Sequence, residues 1–410
     1  MKILMLSSPF PYPPTRGGTQ VRTFNLLKYL SQSHDITLIT QRPEEVSDTE
    51  IEELQEWVEN LLVFPQPKAS DIKAGILAKV QRFKTFLQQG TPPSVLYHYS
   101  NDIQEWIDEA VKASKFEVIT CEHSVNEIYI RPEWQQQLRT VVNIHSSIYG
   151  SCLNQLETKT SENQLRDQLN LPLLRRYETQ YCSKFTDIVV TTPEDRRQIA
   201  TSNPEAKIAV IPNGVDLNLY LKRTSDPGGY QLVFVGAMDT LANIDAAHFF
   251  CLEVFPEILR RYPEATLNLV GTNPIQSVVE LGKIPGITVT GRVASVVEYL
   301  HQAAICVVPL RTGYGIKNKT LEAMAAGTPV VGSDRGLEGL AVDGADVPLR
   351  ALRANNLTEY VYAISRLFED RQLRKQLSEN GRMLIENKYT WKRAGELYEQ
   401  VLSGQSKLYS

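Results

Sequence analysis

The sequence predicts an α/β protein built from two doubly wound, Rossmann-like domains. Short runs of strand-forming residues alternate with longer helical stretches, and the same rhythm restarts in the second half of the chain. Strands alternating with helices imply parallel sheets covered on both faces. Right-handed crossovers then wind each half in both directions from its first strand.

Composition fits this class. The chain has 410 residues, 42% of them hydrophobic and 22% charged. Such a chain is globular, with room for two or three domains of about 150 residues. A net charge of −4 and a pI near 6.0 give no electrostatic reason to bind nucleic acid, though they leave room for a local basic patch. The cysteines, Cys121, Cys152, Cys182, Cys251 and Cys306, are odd in number and form no C-x-x-C. They read as buried free thiols in a reducing compartment. The first apolar run, Ile3-Leu4-Met5-Leu6, is too short for a signal-peptide core. No run approaches the ~20 apolar residues of a membrane helix. The expectation is a cytoplasmic protein, soluble or at most attached to a membrane surface.

In order, Ile3–Leu6 reads as a buried strand and Thr19–Leu30 as a helix. Thr19 is the expected N-cap, with Val21, Phe24, Leu27 and Leu30 on one stripe. Further strands are expected at Ile36–Thr40, Leu61–Phe64, Phe116–Thr120, Val141–Ile144 and Ile188–Thr191. Helical material lies between them, notably Ile103–Ala113 and a long stretch from Asn154 to Lys184. In the second half the strands are Leu232–Val235, Leu267–Val270, Ile287–Thr290, Ile305–Pro309 and Pro329–Gly332. Ile244–Arg261, Ala294–Gln302 and Lys317–Ala326 are helices, and Asn356 to Leu402 is helical throughout. The boundary falls near 203–230, where Pro212-Asn213-Gly214 makes a turn and Lys222–Gly229 has linker composition. This gives a first domain of residues 1–203 and a second of residues 204–388.

Two loops carry candidate chemistry. The first strand opens into a loop ending Arg16-Gly17-Gly18-Thr19 before a helix. Glycines there let backbone N–H groups approach an anion at a helix N-terminus; a plain tight turn is the alternative. Neither G-x-G-x-x-G nor a Walker A sequence occurs. The second loop lies in Pro309–Val331, which reads strand, glycine loop, helix, glycine stop, strand. Gly313 and Gly315 free the backbone at a strand's C-terminal end, where open parallel sheets bind ligands. Lys317 and Lys319 place positive charge at a helix start that prefers acids, a misfit that an anionic ligand relieves. Glu322, one turn on, could accept hydrogen bonds from vicinal hydroxyls. The other reading is a solvated basic surface beside an ordinary helical glutamate.

These residues resemble the signature of glycosyltransferase family four, the group 1 glycosyltransferases of GT-B architecture. The resemblance runs through Gly17-Gly18, Val142-Asn143-Ile144-His145, Pro212-Asn213-Gly214-Val215-Asp216, Phe234-Val235-Gly236-Ala237-Met238-Asp239 and Gly271. It continues through Gly291-Arg292-Val293, Leu321-Glu322-Ala323-Met324-Ala325, Pro329-Val330-Val331 and Tyr389-Thr390-Trp391. It implies two domains facing across a cleft, the C-terminal one binding a nucleotide sugar and the N-terminal one facing the acceptor. It also implies that the last helix, in residues 389–410, crosses back to the first domain. By resemblance Glu322 binds the donor ribose, Gly17 and Gly18 approach the diphosphate, and Arg292 and Val293 lie beside the base. Gly313 to Thr320, including Gly315, Ile316, Lys317 and Thr320, cradles sugar and diphosphate.

The chain departs from the family pattern twice. Tyr314 stands where the family has a second glutamate, and Gly236 to Asn243 lacks the usual Arg and Lys that meet the diphosphate. A branch of the family carries a basic pair before the ribose acid instead. Lys319 is therefore expected to take the leaving-group charge, supported by Lys317 and Arg311. His145, at a strand end, matches a histidine that contacts the donor sugar or leaving phosphate; a loop-shaping histidine beside Ser146 and Ser147 is the alternative. Glu122-His123 lines the acceptor side or is a plain loop pair. The other histidines do not cluster by sequence.

The implied activity is retaining, metal-independent transfer of a sugar from a nucleotide diphosphate sugar to a hydroxyl of a glycan or lipid-linked glycan, as in polysaccharide biosynthesis. No H-E-x-x-H, D-x-D or cysteine cluster argues for a metal, and no cofactor is expected. The competing readings are a nucleotide-sugar epimerase of the same architecture and a non-catalytic nucleotide-sugar-binding partner. Lys79, Arg82 and Lys84 beside Leu77, Phe83 and Phe86 make either a membrane-facing helix at the inner face of the membrane or a solvated one.

Overall fold

A computed structural model describes the chain except for Thr15, residues 68–82, Gln89, Lys159, Tyr314 and residues 406–410. Tyr314 and most of the basic stretch around Lys79 and Arg82 thus lie outside the described residues. Of that stretch, Lys84 is exposed and Phe86 is buried.

The chain forms two compact units. The first holds Met1–Leu156, Ser161–Pro212 and Ala394–Ser410; the second holds Glu157–Thr160 and Asn213–Arg393.

The first unit is one parallel sheet of β1 (Lys2–Ser7), β2 (Asp35–Arg42), β3 (Asn60–Pro65), β4 (Val118–Glu122), β5 (Arg139–Ile144), β6 (Asp187–Val190) and β7 (Ile208–Val210). Their spatial order is β3-β2-β1-β4-β5-β6-β7. β4 is buried along its whole length and β1 except for Lys2, as strands covered on both faces must be. The helix Asn101–Lys112 shows how the cover is made: Ile103, Ile107, Ala110 and Val111 form its buried face.

The second unit repeats the plan with β8 (Gln231–Val235), β9 (Thr266–Val270), β10 (Ile287–Gly291), β11 (Ile305–Val308), β12 (Val330–Gly332) and β13 (Leu352–Arg353). The order is β10-β9-β8-β11-β12-β13, every pair parallel. In each sheet the winding reverses beside the first strand, between β1 and β4 and between β8 and β11. Crevices for ligands open at such switch points, outside the C-terminal strand ends.

Several expectations shift. The Ile208–Val210 run pairs with β6, so the first unit extends to Pro212 rather than to residue 203. Lys222–Gly229 is no linker: Arg223 is buried and donates to Ala303 O at 2.8 Å, and Asp226 pairs with Arg374 at 2.8 Å. The stretch from Asn154 to Lys184 is two helices, Ile148–Glu157 and Gln164–Cys182, the second capped by Asn163. The first helix starts at Gly18 with Gly17 as N-cap, so Thr19 is not the cap. The helical C-terminal region is three helices, Leu357–Glu369, Arg371–Lys388 and Trp391–Leu402. From Ala394 on, the chain belongs to the first unit, where Glu399 accepts from His34 Nε2 at 2.7 Å. All five cysteines are buried and unbridged. No described helix is long and apolar enough to cross a membrane.

Candidate functional site

In the second unit, β11 ends at Val308 and the chain loops through Gly313 (φ 97°) and Gly315 (φ 79°) into the helix Asn318–Ala325. Both glycines hold left-handed backbone that other residues rarely adopt. Buried Leu310 and Ile316 pin the ends of the loop to the core, which gives Ile316 a packing role. Thr320 is also buried, and its hydroxyl donates to Gly336 O at 2.6 Å. It fixes the helix start and is not open to a ligand.

The three cations of this segment have different partners. Arg311 is exposed, forms a two-pronged ion pair with Asp245 and lies over the Phe249 ring at 5.1 Å. Lys317 donates to Gly315 O and pairs with Glu338 at 3.2 Å. Lys319 reaches back across the switch point. Its Nζ donates to Asn243 Oδ1 and sits over the Phe234 ring at 4.7 Å. A Cβ placed on Gly236 would fall 2.6 Å from that Nζ, so the absent side chain leaves the space the ammonium uses. Among the described residues no carboxylate lies within ion-pairing distance of Lys319. Burial, with the charge of Lys317 added, pushes the Lys319 amine down to about 7, against the opposing pull of Cys306 and Glu322.

Glu322 lies one turn further and is half-buried. Burial holds its carboxyl above the usual range, opposed by a hydrogen bond from the Tyr220 hydroxyl and by the charge of Lys319. A ridge of polar groups, Lys319, Asn243, Glu322 and Tyr220, therefore stands at the C-terminal edge of this sheet. Asn213 ties in from the Pro-Asn-Gly turn, donating to Asn318 Oδ1 at 2.8 Å. Arg292 and Val293 follow β10, with β9 between that strand and β8. Among the described residues no hydrogen bond or ion pair joins them to the Lys319 cluster.

In the first unit, Gly17 is extended and caps the helix Gly18–Leu30, its carbonyl accepting from Val21 N at 3.0 Å. Arg22 of that helix is buried and donates to Asn143 Oδ1 at 3.0 Å, two residues before His145. His145 leaves β5 with a half-buried ring whose Nε2 is shielded from solvent and has no hydrogen-bond partner among the described residues. The ring of His123 stands edge-on to it at 5.3 Å. Burial pushes His123 down to about 4, with a contribution from His98. Burial takes His145 well below the ordinary histidine value. His98, whose shielded Nδ1 also lacks a partner among the described residues, is thus brought near His123 by the fold although nothing in the sequence connects them. Glu122 is sequestered in β4 rather than in a loop. Its carboxylate accepts from Asn143 Nδ2 at 2.7 Å and from Thr120 and Tyr398.

Sequence reasoning missed Tyr220 in the second unit and His98 in the first, and gave no role to Phe234 and Asn243, which stood within its motifs. Gly236 and Asn213 were within its motifs but carried no assigned role.

The profile of the family described as Glycosyltransferase Family 4 matches residues 16–219, and that described as Glycosyl transferases group 1 matches residues 229–370. The curated protein YtcC of Bacillus subtilis (strain 168), provisionally named a glycosyltransferase, is 33% identical over 92 residues, which is 22% of this chain and 23% of YtcC. Among solved structures, sucrose-phosphate synthase from Thermosynechococcus elongatus superposes with a TM-score of 0.67 at 18% identity, covering 98% of this chain and 99% of that one. Anabaena Alr3699/HepE in complex with UDP gives 0.66 at 15% identity, covering 98% and 100%. A variant of S. aureus TarM with fondaparinux, alpha-GlcNAc-glycerol and UDP gives 0.65 at 12%, covering 98% and 99%. Two parallel α/β units, each with polar groups at its C-terminal strand ends, and family profiles that together cover most of the chain agree: the chain belongs to the group 1 glycosyltransferases of glycosyltransferase family four.

Proposed function

We propose that the protein transfers a sugar from a nucleoside diphosphate sugar to a hydroxyl acceptor with retention of configuration and without a metal ion. The observation that carries this reading is the Lys319 ammonium, desolvated and held away from carboxylates beside a helix start. A departing diphosphate needs such a partner. Preorganised positive charge in a water-poor site stabilises developing negative charge strongly. Structures similar in fold contain UDP, UDP-glucose, fondaparinux and alpha-GlcNAc-glycerol, which supports a nucleotide-sugar donor and a glycan acceptor.

In this reading the second unit holds the donor. Glu322 accepts from the ribose hydroxyls, and Lys319 with the N–H groups of the helix start receives the diphosphate. The bond from the anomeric carbon to the diphosphate oxygen breaks, and the acceptor oxygen bonds to that carbon. The acceptor proton leaves with the diphosphate. His145 in the first unit, which burial takes below the ordinary histidine value, would offer a ring nitrogen to a sugar hydroxyl or the leaving phosphate. Lys317 and Arg311, both already paired with carboxylates, shape the loop rather than carry leaving-group charge.

Thermal shift with a panel of nucleotides and nucleotide sugars tests the donor site. Wild type is expected to be stabilised by one base class, and Glu322→Ala and Lys319→Ala are expected to lose that shift. Shifts retained in both variants would sink the reading.

A further inference from the structure

The family resemblance leaves Asn243 without a role; it stands in the stretch where the expected diphosphate-binding cations are missing. We propose that Asn243 is a positioning residue of the donor site: its uncharged amide fixes the Lys319 ammonium without neutralising it, leaving the whole charge for a nucleoside diphosphate. The proposal deepens the reading above and rests on it.

The polarity of the amide is set on both sides. Asn243 is 8% exposed, and its Nδ2 donates to Ala237 O at 2.7 Å while its Oδ1 accepts from Lys319. An aspartate could not serve both contacts, because its second oxygen would stand against the Ala237 carbonyl. The site therefore favours an amide over a carboxylate at this position. Its base is firm: Asn243 N donates to Thr240 O at 3.0 Å in the first turn of the helix Leu241–Phe249, directly after β8.

The neighbouring cations give the contrast. Arg311 and Lys317 hold carboxylates at Asp245 and Glu338. A carboxylate so close cancels most of a cation's field at short range. Among the described residues Lys319 is the one of the three with no carboxylate partner; a neutral amide holds it, on an aromatic face and against a glycine. A hydrogen bond to an amide orients an ammonium and leaves its charge intact. The result is a cation desolvated by its surroundings and short of counter-charge, which a diphosphate would supply.

The test uses the full chain with UDP, GDP and ADP as probes, and the tightest is followed by calorimetry in wild type, Asn243→Ala, Asn243→Asp and Lys319→Ala. In parallel, Lys319 is titrated by competitive acetylation with acetic anhydride and mass spectrometry, which reads the amine without any nucleotide. Removing the amide is expected to weaken the probe on the order of tenfold, and Asn243→Asp on the order of a hundredfold, because the new carboxylate competes with the diphosphate. Asn243→Asp is also expected to move the Lys319 titration upward from about 7. A purely structural role for Asn243 would lower thermal stability without that ordering and without moving the titration. Asn243→Asp binding the probe as tightly as wild type, or a Lys319 titration identical in both Asn243 variants and wild type, would overturn the proposal. Loss of binding in Lys319→Ala with binding kept in both Asn243 variants ends the role of Asn243 alone. Full binding in Lys319→Ala ends the donor-site reading as well.

Discussion

The hydroxyl of Tyr398 donates to the carboxylate of Glu122, joining the last helix to the strand at the centre of the first sheet. Thr120 shares both partners, and Asn143 links the carboxylate to Arg22. All five side chains are buried. A buried polar network of this kind is stable only when complete, since any group left unpaired keeps its desolvation cost.

Tyr398→Phe should therefore lower stability by about 1–3 kcal/mol, the cost of leaving buried oxygens short of a donor. Glu122→Gln should cost more, because it removes the acid that offsets the buried Arg22 guanidinium, which burial already pushes down to about 10. The double variant should fall short of the sum of the two. Thermal and urea unfolding of the full chain reads all three. Additive losses would mean that the contact contributes nothing.

Two glycines at adjacent strand ends should behave oppositely when changed to alanine. At Gly236 the new methyl meets the ends of two side chains, Lys319 Nζ at 2.6 Å and Asn243 Nδ2 at 2.7 Å. Lys319 can swing aside, but Asn243, tied to Ala237 O, must give as well, so Gly236→Ala should still fold, cost about 1–2 kcal/mol, and lose nucleoside diphosphate binding. At Gly271 the methyl would fall 1.7 Å from Gly236 O, which is backbone and cannot yield without moving β8. Gly271→Ala should cost more than about 2 kcal/mol. Circular dichroism melts beside calorimetric titration with UDP separate the two effects.

The contrast between these glycines shows what a sequence discloses. The two sheets are legible because central strands such as Ile305–Val308 are continuous apolar runs, and Lys319 and Glu322 are legible because their helix follows such a strand. Asn243 is not. The sequence reading seeks cations after β8 and finds none; the cation arrives from a helix 76 positions away, and no periodicity records that. Tyr398 and Glu122 are 276 positions apart and equally silent. β13 has only two residues, too few for a pattern. The helix Asp48–Gln55 did carry a signal, the capping box of Ser47 and Glu50, and was passed over.

His123 is strained in a way that predicts a trade between stability and activity. It holds φ 81° and ψ 141°, a region that suits glycine. The conformation is enforced by His123 N donating to Asn143 O at 3.0 Å and by Asn126, which bonds Glu122 O at 2.7 Å and Ser8 N at 2.9 Å. His123→Gly should be more stable than His123→Ala by about 1–3 kcal/mol, while both lose turnover with an acceptor. Equal stability of the two variants would show that the backbone carries no strain. Wild-type turnover in either would remove the imidazole from the reaction.

Lys319 gives the pH dependence a definite sign. Its amine falls from an ordinary value of 10.5 to about 7 in the folded chain. Between those values the unfolded chain binds more protons than the folded one, so this group adds stability as pH rises from about 7 toward 10.5 and adds none below. Diphosphate binding runs the other way. The ligand requires the ammonium, so binding above pH 7 takes up a proton, and affinity should drop by up to about tenfold per pH unit there. Lys319→Arg stays charged throughout and should flatten both trends across that range. Calorimetric titration with UDP in two buffers of different ionisation enthalpy counts the proton directly. No proton uptake by wild type above neutrality would mean that Lys319 is already charged in the free protein, and the assignment of its environment as desolvated and without an ion-pairing carboxylate would have to be abandoned.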